Sequence, residues 1–401
     1  MLSFMNFLSA TFFLTATLGV CTTAQAQSTA STASNPGNFA LPLPGLTSAE
    51  LAAFREGSLT FNTVETPETG LGPIFNNNSC LSCHNVPALG GSSHTTVTRF
   101  GQTTNGVFDP LTSEDGSLLH AKAIDPSLQE VVPANANTTA LRITPALYGA
   151  GLIETIADAT ILANAALPKP AGIRGRPAMI TDIATGQTRV GRFGWKAQHA
   201  TLLGFSGDSL NNEIGITNRL YPKAAAPDGN EALLARYVSP TAPIEDQPNP
   251  LTGLSEIDRL ANYMRYLGPV APAPATTASI AGQALFVSLS CSACHTPSLP
   301  TATVSSAALS GQTAGLYSDL LLHDMGSLND GIAQGDAGPN EMKTAPLWGL
   351  RAKTVFLHDG RATTLDQAIL AHAGEAQAST DAYQKLKAAD RANLMAFLRT
   401  L

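Results

Sequence analysis

Charge is scarce in this 401-residue chain: Asp, Glu, Lys and Arg make up 13% of it, and no Lys or Arg precedes Arg55. Lys+Arg 23 against Asp+Glu 30 leaves a net charge of -7, with no basic run and no stripe of basic and aromatic residues. Nucleic acid and anionic membrane surfaces are therefore poor partners. Cysteine is scarcer still. There are five, and Cys80, Cys83, Cys291 and Cys294 fall into two close pairs that leave Cys21 alone. A disulfide scaffold wants more cysteines at other spacings. Beyond the first segment, no stretch approaches the roughly 20 apolar residues that cross a bilayer. What is present is 44% hydrophobic residues, enough to bury a substantial core in one or two globular domains.

The first 26 residues account for Cys21. Phe7 to Val20 is apolar or small but too short to span a membrane, and Ala24-Gln25-Ala26 supplies a small-x-small cleavage site. Residues 1–26 read as a secretory signal peptide that leaves a mature chain beginning at Gln27 in the periplasm. A lipoprotein cut before Cys21 is the rival reading, and Val20 is bulky for such a site. Residues 27–46, rich in Ser, Thr, Ala and Pro, read as a flexible tail. Alternating prolines from Pro269 to Pro274 forbid helix and mark a linker over residues 269–278.

The linker separates two halves, 47–268 and 279–401, with one shared order: a helix, a CxxCH, a loop-rich middle and a closing helix. Leu254, Ile257, Leu260, Ala261 and Met264 recur at helical spacing in the first half, and Leu394, Ala396, Phe397 and Leu398 close the second. Met264 and Met395 are expected in these cores. The expected architecture is mainly α, two cytochrome c-like haem domains. The first is enlarged by a small β-hairpin insertion, Met179–Ile183 and Thr188–Phe193 around the turn 184–187.

Cys80-Leu81-Ser82-Cys83-His84 and Cys291-Ser292-Ala293-Cys294-His295 carry the chemistry. Cysteines three apart share one face of a turn and the adjacent histidine swings round to a metal, the pattern of covalent c-type haem attachment. Zinc would need further ligands, and no other cysteine stands near either motif. A redox dithiol is the remaining competitor. Two copies, behind a signal peptide and in matched halves, favour two covalently bound haem c groups, with His84 and His295 as proximal ligands.

Six histidines remain: 94, 120, 199, 323, 358 and 372. Thr364 to Gln367 reads as a capping box that opens a helix from Leu365 to Ala373, and Leu365, Ala368, Ile369 and His372 then share its buried stripe. His372 is thus a core histidine or the sixth ligand of the C-terminal haem, and the haem in its own half favours the ligand. His323 and Met325 follow an apolar run and are lesser candidates. Arg361, beside His358, is placed to pair with a haem propionate. Trp195 is a candidate relay between the haems, against the commoner role of packing.

Ala345-Pro346-Leu347-Trp348-Gly349-Leu350, Phe356-Leu357-His358-Asp359-Gly360-Arg361-Ala362 and Thr364 to Ala376 resemble the di-haem oxidoreductase family, relatives of bacterial di-haem cytochrome c peroxidases. Thr144 to Glu154, Gly191 to Ala197 and Tyr317 to Gly326 resemble it too, so the likeness runs from about Thr47 to the C-terminus. It implies a sixth ligand at His372, where relatives carry Met or Tyr, and a reactive N-terminal haem with a distal histidine, for which His120 ranks before His94. It also implies a glutamate that assists peroxide cleavage. The matching stretch Ala200 to Gly204 has no acid, leaving Glu154 or Glu213 to substitute. A calcium ion between the domains, a small redox protein as electron donor or acceptor, and peroxide or another small oxidant as substrate follow from the same likeness. The expected function is a periplasmic peroxidase-like oxidoreductase whose C-terminal haem stores electrons. A non-catalytic di-haem electron carrier and a thiol/disulfide oxidoreductase are the alternatives.

Overall fold

The computed structural model describes residues 39–170, 172–237 and 246–401. The expected signal peptide and Cys21 lie outside the described residues. Helix α1 (Ser48–Asn62) begins at Thr47, whose hydroxyl accepts the Glu50 N–H while the Glu50 carboxylate takes the Thr47 N–H. Such a cap stabilises a helix start by about 1 kcal/mol. After the first CxxCH the chain forms an antiparallel sheet of β1 (Thr96–Thr104), β2 (Val107–Asp109) and β3 (Thr138–Ile143), with β1 central. Its register sets Thr96 opposite Ile143 and Gly101 opposite Thr138. Strands β4 (Ala178–Thr181) and β5 (Thr188–Gly191) make the expected hairpin. It is shorter than expected because the Asp182 carboxylate takes the hydroxyls of Thr185 and Thr201 and opens the turn early.

Helix α2 (Leu202–Ile214) follows, and α3 (Glu256–Tyr266) closes the first half, started by a Ser255–Asp258 capping box. Ile257, Leu260, Ala261 and Met264 are buried as expected, whereas Leu254 precedes the helix. The second half begins with α4 (Thr277–Ser288), continues through α5 (Leu365–Leu370) and ends with α6 (Ala388–Leu398).

The halves repeat one packing scheme. α1 lies on α3 and α4 lies on α6, and each crossing is close because a glycine stands at it. A Cβ on Gly57 would meet the Arg259 carbonyl oxygen at 2.1 Å, and one on Gly282 would meet that of Asn393 at 2.0 Å. Each leading helix then presents a phenylalanine to its CxxCH histidine, Phe61 at 5.6 Å from the His84 ring and Phe286 at 6.3 Å from that of His295. Phe61 packs with Phe54 and Tyr263 in a core that also takes in Leu299, Leu316 and Trp348 of the second half, and Phe286 packs with Leu394, Phe397 and Leu398 in a second one.

The mainly α expectation is met in part: helices frame both halves, but irregular chain and small sheets fill the middles. Part of the expected flexible tail is packed. Leu43 is 2% exposed and its N–H bonds the Tyr266 carbonyl, and the Phe39 ring lies 5.7 Å from that of Tyr148. Burial of these apolar side chains, about 1.5–3 kcal/mol each, holds the segment down. The linker is extended, with Val270 buried, until Thr276 caps α4. No helix among the described residues is long and apolar enough to cross a membrane.

Candidate haem-binding centres

Both CxxCH segments close the same turn, His84 N–H to the Cys80 carbonyl and His295 N–H to that of Cys291, each 2.9 Å. All four cysteines are free. Cys80, Cys83 and His84 line one cavity, and Cys291, Cys294 and His295 line another. The proximal rings are held alike. Nδ1 of His84 lies 3.0 Å from the Gly91 carbonyl oxygen, and Nδ1 of His295 lies 3.0 Å from that of Tyr317. A carbonyl only accepts, so Nδ1 carries the proton and Nε2 keeps the lone pair a metal needs. Burial pushes both imidazoles down to about 4, which keeps them neutral. Burial also pushes the Cys80 thiol up to about 12 and that of Cys291 to about 11. Reactive dithiols need the opposite shift, so Cys80 and Cys291 lack the setting of an exchange-active thiol.

The C-terminal cavity encloses about 1510 Å³ free of protein atoms, part of it open to solvent, behind mostly apolar walls. His372 lines it opposite His295. The ring centres are 6.5 Å apart, and Nδ1 of His372 gives its proton to the Ala368 carbonyl at 2.7 Å. A metal about 2 Å from each of two facing imidazole nitrogens separates ring centres by roughly that much, so the pair fits an iron between them. His372 is not on its helix as expected. α5 ends at Leu370, and His372 stands just past the Ala371 cap, where its N–H still reaches the Ile369 carbonyl.

His323 and Met325 also line this cavity. Both nitrogens of His323 are engaged, Nδ1 by Glu375 at 2.8 Å and Nε2 by Asp319 at 3.1 Å. Burial opposes its charge, but hydrogen bonds with Asp319, Cys294 and Glu375 push its pKa up to about 12, and with both nitrogens so engaged it offers no free lone pair to the cavity. Cys294, Asp319 and His323 are the one grouping of His, Cys, Asp or Glu ligand atoms close enough to share a metal among the described residues. Arg361 does not reach the cavity. It is turned outward onto the Asp359 carboxylate, which neutralises it locally, while the neighbouring His358 is buried against the cavity instead.

The N-terminal cavity, about 1100 Å³ by the same measure, is more polar. Arg99 from β1, Gln198, and Asp208 and Glu213 from α2 line it with His84, and no second histidine does so among the described residues. Burial raises the Glu213 carboxyl above its ordinary range, although it accepts the Asn76 amide at 2.9 Å. Asp208 is buried too, but His199 at 3.2 Å and the Arg99 charge hold it low. Arg99 Nε is buried without a partner among the described residues.

Three residues singled out in the sequence do not line this cavity. His120 is buried outside the cavity, its Nδ1 2.9 Å from Glu130, because that carboxylate also takes the His120 N–H and fixes the loop. His94 is exposed at the surface and bonded to the Thr354 hydroxyl. Glu154 is engaged elsewhere. It clamps α2 to α3, accepting the Leu202 N–H at 2.7 Å and pairing with Arg265. Glu213, by contrast, lines the cavity with His84. The sequence reading missed Arg99 and Asp208. Their only signal was the alternation along β1 and the Thr201 cap of α2, which aim both at one wall.

Trp195 lines both cavities. Its Nε1 donates to the Ile143 carbonyl at 2.9 Å, and its ring meets that of His358 edge-on at 6.3 Å. Beside it the halves are joined by buried charge. Asp330 takes Arg142 Nε at 2.8 Å and Lys196 Nζ at 2.9 Å, and the same ammonium donates to the carbonyls of Gly338, Pro339 and Glu341. A lysine ammonium thus supplies the positive charge among these buried oxygens.

None of the curated proteins matches the chain. Among solved structures it is similar to a MauG-like protein associated with microbial copper homeostasis (15% identity, 92% of this chain and 93% of that one, TM-score 0.41). It is similar to the diheme peroxidase BthA from Burkholderia thailandensis (15% identity, 87% and 86%, TM-score 0.38). Hydrazine synthase of Kuenenia stuttgartiensis is a third (14% identity, 98% and 100%, TM-score 0.40). A family model described as "Di-haem oxidoreductase, putative peroxidase" matches residues 130–401. That span is more than half of the chain, holds the second CxxCH, His372, Trp195 and Glu213, and shows that the chain belongs to the di-haem oxidoreductase family.

Proposed function

We propose that this chain is a periplasmic enzyme that reduces peroxide, or another small oxidant such as dioxygen, with electrons from a small redox protein. The contrast between the two cavities carries this reading: a second imidazole faces His295, whereas a carboxyl and a guanidinium share the cavity of His84. Cys80, Cys83 and His84 would hold one haem c, and Cys291, Cys294, His295 and His372 the other. Bound there, the two haems supply iron that takes up, stores and hands on electrons, the N-terminal one reacting with the oxidant.

The protein's own groups do the rest. His372 closes the C-terminal cavity to exogenous ligands. Glu213, its carboxyl pKa raised by burial, gives a proton to the departing oxygen of peroxide and recovers it from solvent. Arg99 brings a fixed cation to the oxygen that gathers charge. Trp195 fills the space between the cavities and shortens the path for electrons. Hydrogen peroxide, two electrons and two protons then leave as two waters.

Stopped-flow mixing of the fully reduced two-haem protein with one equivalent of hydrogen peroxide tests the proposal. Rapid two-electron oxidation is the expected result. A protein that stays reduced on that timescale is the non-catalytic electron carrier.

A further inference from the structure

Buried cations in this protein come with carboxylates. Arg142 and Lys196 share Asp330, Arg192 and Lys169 have Asp158 and Asp319. Lys343 and Lys353 break the pattern. Lys343 is 8% exposed and has only the Thr344 carbonyl near its ammonium, at 3.3 Å, while Lys353 is partly buried with no side-chain partner among the described residues. The nearest acid whose charge Lys343 senses is Asp319, which is committed to His323 and Lys169. Both lysines line the C-terminal cavity, beside Ala345, Pro346, Leu347 and Leu350.

We propose that Lys343 and Lys353 are an anion seat for the two carboxylate side chains of the haem in the C-terminal cavity. This rests on the reading of that cavity as a haem site. Removing an ammonium from water without a counter-charge costs several kcal/mol, and two of them on one apolar wall compound the cost. A ligand that brings two carboxylates to that wall removes it. The lysines behave as cations lacking an anion: burial pushes Lys343 down to about 8 and lowers Lys353 as well.

The seat also sets an orientation. The Lys343 N–H donates to the Trp195 carbonyl at 2.9 Å, and the two lysines line a smaller hollow with Trp195, Trp348 and Phe205, the last of which also lines the N-terminal cavity. Carboxylates seated on these lysines would lie on the Trp195 side of the cavity.

The test compares the holoprotein with its K343Q, K353Q and K343R variants, after a pyridine haemochrome assay has counted haems per chain. The midpoint potential of the low-spin haem is then followed across about pH 5 to 7, above the ordinary Asp and Glu values and below that of Lys, where a haem carboxylate stripped of its counter-cation would titrate. The other charged groups at this wall are His323 and Glu375, pinned to each other, Asp319, and His358, which burial pushes down to about 4. The expected wild-type potential is flat over that range and indifferent to added inorganic phosphate. In K343Q and K353Q it shifts downward and becomes pH-dependent, and K343R restores the flat profile. Two-haem K343Q and K353Q proteins with the wild-type profile would overturn the proposal. A wild-type potential that moves with phosphate would overturn it as well, assigning the lysines to a free anion. Wild-type protein with fewer than two haems would instead sink the underlying reading of the cavity.

Discussion

His372 faces His295 across the C-terminal cavity with ring centres 6.5 Å apart, and each ring gives its Nδ1 proton to a backbone carbonyl. Two imidazoles so held leave both Nε2 lone pairs for one iron, which would be low-spin when bound by both. Replacing His372 with Met is expected to keep it low-spin but raise its potential, since thioether stabilises the ferric state less than nitrogen does. His372→Ala is expected to open the site, with high-spin absorption and binding of added cyanide or azide. Unchanged low-spin signals in folded His372→Ala protein would return the residue to the core and send the ligand search to Met325.

Glu213 is the acid in the N-terminal cavity whose carboxyl burial raises. Glu213→Gln keeps the shape and the Asn76 contact but removes the proton. Peroxide turnover is expected to fall about 10²–10⁴-fold, the usual span for a general acid, with haem content and both spectra unchanged. Glu154→Gln is expected instead to weaken the α2–α3 clamp, lowering thermal stability more than turnover at permissive temperature. Reversed outcomes for the two variants would move the catalytic role to Glu154.

The His323–Glu375 pair ties the cavity wall to the chain just beyond α5. Burial works against Glu375, but His323 and the N–H groups of Arg174 and Gly175 bring its pKa down to about 2 from an ordinary 4.5. The unfolded chain therefore binds the extra proton between those values, and the stabilisation, complete above about 4.5, is lost as pH falls toward 2. His323 has the opposite sign. Its raised pKa makes its contribution complete below 6.5 and lost as pH climbs toward about 12. Glu375→Gln is expected to cost about 2 kcal/mol near neutral pH, the scale of a hydrogen bond to a charged group. Denaturation of this variant is also expected to be less sensitive to acid. A denaturation midpoint equal to wild type from neutral to acid pH would show that the pair stabilises nothing.

Much of this site was legible in the sequence because its signals are local. A CxxCH is a five-residue statement, and the closing helices declare themselves by apolar spacing at Ile257, Leu260 and Met264. His372 was found by the stripe of Leu365, Ala368 and Ile369, although the helix stops two residues before it. The N-terminal cavity was illegible because Arg99 and Glu213 are far apart in the chain and meet only through the β1–β3 sheet and α2. His120 shows the converse. Its apolar neighbours Leu118 and Leu119 foretold burial, but burial served a bond to Glu130. Lys343 and Lys353 looked like ordinary surface lysines, since nothing in their neighbours says that they face a cavity.

Each half carries its own attachment turn, so protein made with periplasmic haem-attachment machinery is expected to keep two haems per chain through acid-acetone extraction. Replacing Cys80 or Cys291 should remove one haem and destabilise the half around it. The mature chain is expected to begin at Gln27, read by N-terminal sequencing of periplasmic protein. A diacylglyceryl group on Cys21 would point to a lipoprotein and leave the haem chemistry as described.

The central claim is that one haem is closed and the other open, and low-temperature paramagnetic resonance of the fully ferric holoprotein tests it most directly. The account predicts two signals of equal spin count: a low-spin one, lost in His372→Ala, and a high-spin one that shifts when cyanide is added. Two low-spin signals in the wild-type protein, neither of them altered by cyanide, would contradict it.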